Sequence, residues 1–571
     1  CTSNLFLKRI MILTPENRIK DYTEKGWWGS DTLYSLFITA CNESGPNEAL
    51  VDAPNRKEFT TGNPQRLTFD EVNIEVDRYA SIFYDLGLRK DDKVILQLPN
   101  IVELAILYIA LSKAGIIISP VPIQYGKYEL SKIIEDIEPK GYIGVSEFNS
   151  KGFASVTKEA FSNEHVLMSI GESNGFIDLN SYEPSSNSKS DSNVYFQSIK
   201  NTSNDILTIC WTSGTTGTPK GVPRSHNLWS TMAKAAYHLA DTHKGDVLLN
   251  PFPLVNMASI GGFLFNWLIC QGKLIQHHPF NLNIFLSQMA EEKVNYTITA
   301  PAIMNMLLNN QSLFENLDLS NLRSIGSGGA PLSEWMVEAF QNNHQITVQN
   351  IFGSNEGMSL LSTRDDVEDP ALRAIYFPRF GVDGFQWNNP ISKTIKTKLV
   401  SIESNEVITE PMIPGELLIS GSTVFDGYWN APEANKEVFD DEGFFKTGDM
   451  FEISSNDTDN KFYKYCGRCK DLIIRGGMNI SPEELDNVLT SHPSILEVAV
   501  TGFEDEVLGE KVGVVAVVKD GLKLELSDIS TFLQKLGIAK YKYPEDLRII
   551  AELPRNSVGK VLRRELKELF S

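Results

Sequence analysis

The run Thr212, Ser213, Gly214, Thr215, Thr216, Gly217, Thr218, Pro219, Lys220 sets hydroxyls, glycines and one ammonium side by side. Glycines let backbone N–H groups converge on one point, hydroxyls add donors, and Lys220 adds a positive charge. That combination holds an anion, above all a phosphate. It is not a Walker A loop, because Pro219 stands where that pattern needs Gly and no Ser or Thr follows Lys220. The apolar run Ile206-Leu-Thr-Ile-Cys-Trp211 just before it predicts a strand that would carry the loop.

Elements able to position such a loop recur along the chain. Lys93 to Leu98 reads as a strand, Glu103 to Lys113 as a helix with an apolar stripe, and Gly115 to Pro120 as a buried strand. Strand–helix alternation of this kind predicts an α/β fold with a mostly parallel sheet. Residues 185–204, rich in Ser and Asn, read as an exposed linker between subdomains. From about Gly381 to Tyr465, short runs punctuated by Gly, Pro and Asn predict a small β-barrel-like subdomain. Past Lys470 an α+β unit is expected, with a helix starting at Pro482 and strands at Val498 and Val512.

Composition bounds the function. A chain of 571 residues is too long for one compact unit and is expected to form two or more domains. Its net charge of −21 argues against nucleic acid as a partner. An anionic substrate must then be captured by a local cluster of donors and cations, against the global field. Six Cys suit a reducing, cytoplasmic setting rather than a disulfide scaffold, and the early charges Lys8 and Arg9 do not suit a secretory signal. Residues 247–272 carry no charge, but Pro251, Pro253, Asn250, Asn256 and Asn266 favour a loop and buried helix, from about Ala258 to Cys270, over a membrane span. No stable membrane insertion is expected. Cys466-Gly-Arg-Cys469 is a lone pair without the further ligands a zinc site needs, and adjacent His277 and His278 do not face one way on a strand. His226 is read as a capping or packing residue.

The loop from Thr212 to Lys220 resembles the phosphate loop of the adenylate-forming superfamily, which includes acyl-CoA synthetases, adenylation domains and firefly luciferase. Further motifs follow in that family's order. Ser327-Gly-Gly-Ala-Pro331 resembles its adenine-side strand end, which implies nucleotide contacts for Gly329, Ala330 and Pro331. Phe352-Gly-Ser-Asn-Glu356 resembles its aromatic-Gly-x-Thr-Glu motif. There Phe352 and Gly353 would lie against adenine and Glu356 would bind Mg²⁺. Asn355 stands where most members have Thr, and its amide can replace the hydroxyl's contact to phosphate. Lys446-Thr-Gly-Asp449 implies that Asp449 accepts hydrogen bonds from the ribose hydroxyls, a task for an acceptor-only carboxylate. Gly467-Arg-Cys-Lys-Asp471 implies a nucleotide contact for Arg468 and a hinge at Lys470. Pro554-Arg-Asn-Ser-Val-Gly-Lys560 implies that Lys560 is the adenylation lysine. The likeness extends to Leu67-Thr-Phe-Asp-Glu-Val and Gln97-Leu-Pro-Asn-Ile-Val-Glu-Leu104, so it covers nearly the whole chain.

The resemblance implies a large N-terminal adenylation domain, 1–469, and a small mobile lid, 470–571. It implies attack of a carboxylate on the α-phosphate of ATP, release of pyrophosphate, and transfer of the acyl group to a pantetheine thiol. The thiol would belong to coenzyme A or to a carrier protein, expected as a separate chain. A luciferase-like oxygenase and a non-catalytic ATP-binding protein remain alternatives on the same fold. The acid pocket is expected around Asn256, Met257, Gly262, Ser327, Gly328 and Ile351, with Phe263 as a further apolar wall. Asn256 aligns with the acid-contacting Asn of aryl-acid ligases similar to 2,3-dihydroxybenzoate–AMP ligase, although it can also serve as a helix cap. Val255 replaces the His that precedes it in that branch, which points away from 2-hydroxybenzoates. No Asp in this loop is available to pair an ammonium, so a neutral aryl, cyclic or medium-chain acid is expected over an α-amino acid.

Overall fold

A computed structural model describes residues 12–570 except 213–218, 314–316, 330, 456–458, 476–477, 506–507, 537, 539 and 556–560. Side chains at 156, 302, 311, 358–359, 470 and 478–479 are also outside the description.

The chain divides into two compact units. The first comprises Cys1–Ala374, Asp383–Lys396 and Ser420–Phe439. Two sheets dominate its described residues. One runs in the order Lys220–Ser225, Ile206–Thr212, Ile117–Pro120, Lys93–Leu96, Gly141–Val145, Val166–Ile170, Ile177–Asp178. It is parallel except at Lys220–Ser225, which pairs antiparallel to Ile206–Thr212. The other runs Gly357–Ser362, Thr347–Ser354, Ser324–Gly328, Tyr296–Ile298, Val247–Asn250, Lys273–Gln276, Glu48–Val51, Arg66–Thr68. Its two outermost strands are antiparallel and the rest parallel. Parallel strands covered on both faces read as continuous apolar runs, which is why Lys93–Leu96 and Ile206–Trp211 are buried throughout.

The helix Val102–Ala114 is buried on nearly every side rather than along one stripe. Its Glu103 is held by Arg56 at 2.8 Å, and Arg56 also binds Asp52 at 2.7 Å, so the buried charges are paired. Residues 185–204 are not a linker, because Ser186–Ser198 is a helix capped by the Ser185 side chain. Its Tyr195 ring packs 5.3 Å from Tyr84, and Ser192 meets Ser81 at 3.1 Å. A few aromatic anchors thus outweigh the polar composition. In the uncharged stretch 247–272, a strand Val247–Asn250 leads through a proline-containing loop to a buried helical run, Met257–Cys270, whose centre Ile260–Phe265 is π-helical. Among the described residues no helix is long and apolar enough to cross a membrane.

The second unit comprises Ile375–Val382, Thr397–Ile419 and Asp440–Ser571. A sheet in the order Tyr376–Pro378, Phe462–Arg468, Phe445–Ile453, Gly415–Gly421, Ile395–Val400, Val407–Ile408 forms the β-rich part. The α+β part packs Pro482–Thr490 and Leu526–Lys535 on a sheet built around the long hairpin Ile495–Asp505 and Gly509–Val518. Leu485, Leu489, Ile529 and Leu533 on the helices fill its core against Val500, Val512 and Val514. The chain is therefore mixed α/β, with parallel sheets in its large N-terminal part.

Candidate functional site

Within the first unit, Ile206–Thr212 and Lys220–Ser225 form a hairpin that closes with Thr212 opposite Lys220. The helix that follows Lys220–Ser225 begins at His226. Ser213, Gly214, Thr215, Thr216 and Gly217 lie outside the described residues, as do Ala330 and Lys560.

A second hairpin, Thr347–Ser354 with Gly357–Ser362, turns through Asn355 and Glu356. The carboxylate of Glu356 is buried and its Oε1 accepts a hydrogen bond from Tyr428 Oη at 2.9 Å. Its Oε2 accepts from no group among the described residues, and no cation there lies within ion-pair distance. A carboxylate oxygen left open in this way suits a hard cation such as Mg²⁺. The Tyr428 ring also lies 4.8 Å from Lys220 Nζ, so one phenol touches both hairpins. Burial and the neighbouring Glu356 push the phenol's pKa up, keeping it a donor.

Asn355 joins three segments. Its Oδ1 accepts the Met257 N–H at 2.9 Å, and its carbonyl accepts Arg224 Nη1 at 2.7 Å. The Asn355 side chain is thus hydrogen-bonded to the start of the helical run Met257–Cys270. Arg224 is fully buried and donates to the carbonyls of Leu228 and Thr423 as well, with its guanidinium 4.6 Å from the Trp229 ring. Among the described residues it makes no ion pair, and burial pulls its pKa down to about 10. This buried cation, hydrogen-bonded to carbonyls and felt by the Glu356 carboxylate, adds positive potential beneath the Glu356 turn. Arg224 and Tyr428 carry no motif signal of their own. The Arg stands four residues beyond Lys220, and the Tyr is 72 positions from Glu356.

Of the residues expected to line an acid pocket, Met257 meets the same turn. Asn256 caps the helical run, its Oδ1 accepting from Ser259 N at 3.2 Å, while its Nδ2 donates to no group among the described residues. Met257 and Phe263 are buried, and Phe263 packs 5.9 Å from Tyr296. Gly328 pairs with Ile351 across parallel strands, where a Cβ would meet the Ile351 carbonyl at 2.2 Å. A Cβ on Gly262 would meet Ile298 at 3.4 Å. Ser327 is buried with its hydroxyl bonded to the Thr299 carbonyl at 2.8 Å, a contact between strands. Phe352 is half-buried, Gly353 and Pro331 are exposed, and Gly329 is left-handed at φ +78°. His226 packs, its Nδ1 accepting the Leu33 N–H at 3.0 Å, and burial lowers its pKa to about 4.

Within the second unit, Asp449 and Arg468 are partners across adjacent strands. Arg468 Nε lies 3.4 Å from Asp449 Oδ1, and Tyr465 Oη donates to the same oxygen at 3.5 Å. The turn is fixed by Thr447, which donates to the Leu417 carbonyl and accepts the Asp449 N–H. Lys470 sits in the short turn Cys469–Asp471. Cys466 and Cys469 are free thiols, and burial pushes both up to about 12, so neither is a ready thiolate. Among the described residues no group of three or more His, Cys, Asp or Glu is placed to hold a metal.

Residues 39–429 match the family described as AMP-binding enzyme, and residues 484–560 match the AMP-binding enzyme C-terminal domain. A relative named probable CoA ligase CCL5, from Humulus lupulus, is 27% identical over 578 residues, spanning 100% of this chain and 96% of its own. The 2,3-dihydroxybenzoate-AMP ligase of Bacillus subtilis is 25% identical over 98% of this chain and 97% of its own. The solved structure of ATP-bound MatB from Rhodopseudomonas palustris shares the fold, with a TM-score of 0.76 at 24% identity over 95% of this chain and 99% of that one. With both matched regions in order and the two turns joined as described, the chain belongs to the AMP-binding enzymes, a family of adenylate-forming ligases.

Proposed function

We propose that this protein activates a neutral aryl, cyclic or medium-chain carboxylic acid with ATP, forming an acyl-adenylate and pyrophosphate. It then passes the acyl group to a pantetheine thiol of coenzyme A or of a separate carrier protein. The observation that carries this reading is the hydrogen bond from Met257 N to Asn355, next to Glu356 and in contact with Arg224. It ties the start of the acid helix to the turn assigned to the triphosphate, so a bound carboxylate and the α-phosphate are held together. The anion loop from Thr212 to Lys220 grips the phosphates, Asp449 takes the ribose hydroxyls, and Arg468 adds positive charge. Glu356 and the nucleotide's phosphates would hold Mg²⁺, which neutralises charge developing on the phosphoryl oxygens. Met257, Phe263 and Ile351 supply apolar walls, and no acidic residue between 250 and 262 invites an ammonium. Asn256, whose amide N–H pair donates to no group among the described residues, is the polar group that meets the acid.

In this reading 1–469 acts as the adenylation domain and 470–571 as the lid, rotating about Lys470 to deliver Lys560 and then withdraw it. The test separates the half-reactions. Lys560→Ala is expected to lose acid-dependent ATP–pyrophosphate exchange while still transferring a supplied acyl-adenylate to coenzyme A or to a phosphopantetheinylated carrier. Equal loss of both half-reactions would overturn the rotating-lid account.

A further inference from the structure

The segment Thr423–Trp429 of the first unit is not part of any motif used above, yet it is stitched to both turns. Phe425 N–H donates to the Glu356 carbonyl at 2.8 Å, and Trp429 N–H donates to the Gly221 carbonyl, next to Lys220, at 2.8 Å. The main chain of Tyr428 is clamped on both sides by Asn435, which accepts its N–H at 2.7 Å and donates to its carbonyl at 3.0 Å. Gly427 is required there, since it sits at φ +130° and a Cβ would meet the Asn435 side chain at 2.9 Å. Asp426, buried beside Tyr428, is bound by Thr14 and Arg18. Trp28 donates to the Ser422 carbonyl at 3.0 Å, so the N-terminal segment secures the same loop.

We propose that Tyr428 is a positioning residue for the cation site, its hydroxyl fixing the Glu356 carboxylate and its ring holding Lys220 apart from it. The inference rests on the reading of Glu356 as the cation ligand. An ammonium and a carboxylate this near to one ring would otherwise close into an ion pair and cancel. Tyr428 bonds one oxygen of the carboxylate, leaves the other oxygen open, and offers the ammonium a π face instead. Both charges then stay available, the carboxylate for a divalent cation and the ammonium for a phosphate. Hydrogen bonds behind a metal-binding carboxylate set its orientation, and their loss costs 10- to 100-fold in metal affinity as a rule.

The test uses the full chain with Mn²⁺ as the probe, read by water-proton relaxation with ATP bound, which separates the ternary complex from free Mn²⁺–ATP. Tyr428→Phe keeps the ring and loses the hydroxyl. It is expected to raise the Mn²⁺ dissociation constant about ten-fold, with exchange activity recovered at saturating metal and melting unchanged. Glu356→Gln is run beside it and should weaken Mn²⁺ more. Unchanged Mn²⁺ affinity in Tyr428→Phe, with Glu356→Gln weakened, overturns the role of Tyr428 alone. Unchanged affinity in Glu356→Gln overturns the cation reading itself. Loss of activity in Tyr428→Phe that no metal concentration restores, together with a lowered melting temperature, shows a structural role and also contradicts the proposal.

Discussion

Two carboxylates assigned to the nucleotide, one in each compact unit, are held in opposite ways. Glu356 is fixed by a neutral phenol and leaves one oxygen without a partner among the described residues. Asp449 sits 3.4 Å from the guanidinium of Arg468. The first has no ion-pair partner among the described residues, which leaves its second oxygen for an incoming cation. The second already has its counter-charge, so it can accept hydrogen bonds from neutral hydroxyls without attracting a metal. In the proposed reading, the same residue chemistry is divided between metal and sugar by what stands behind it.

That contrast can be broken by substitution. The largest effect is expected from Glu356→Gln, which should slow pyrophosphate exchange about a thousand-fold and raise the metal requirement. A rate that is insensitive to this change would remove the distinction. Arg224→Met should cost about 3 kcal/mol of stability, because three carbonyls lose a charged donor that fixes the Glu356 turn. Chemical denaturation reads this. Asp449→Asn should raise the KM for ATP about ten-fold with kcat within a few-fold, and leave the metal requirement unchanged. A shifted metal requirement in that variant would show that both carboxylates serve the cation.

A smaller effect is set by pH. His226, His277 and His278 are buried, and burial lowers each from 6.5 to about 4. The unfolded chain binds these protons more tightly than the folded one, so stability is full above about pH 6.5 and falls as pH drops toward 4. The melting temperature should decline steadily over that window. A flat profile would mean that these rings are protonated in place.

Much of this was legible in the sequence because it is local. The strand before the anion loop, the strand–helix alternation and the helix starting at Pro482 each follow from runs of a few residues. The turn at Asn355 and Glu356 could be placed because its motif is contiguous. What escaped depends on distant pairing. Tyr428 meets a residue 72 positions away, and Asp426 meets Thr14 and Arg18 about four hundred positions away. A Gly-Tyr pair in an irregular stretch gives no periodic signal for such contacts. The helix Ser186–Ser198 is hidden for the opposite reason, since its composition is polar and a few residues such as Tyr195, Phe196 and Ser192 tie it down. Asn355 shows a third case. Its type departs from the family pattern in the sequence, yet its bond to Met257 N is visible only in the fold.

The central claim is that these joined turns adenylate a neutral carboxylic acid. Its most direct measurement is ATP–pyrophosphate exchange by the full chain across aryl, cyclic, medium-chain and α-amino acids. The account predicts exchange that depends strictly on an added neutral acid, with α-amino acids inactive. Exchange driven by α-amino acids, or none with any acid, would contradict it.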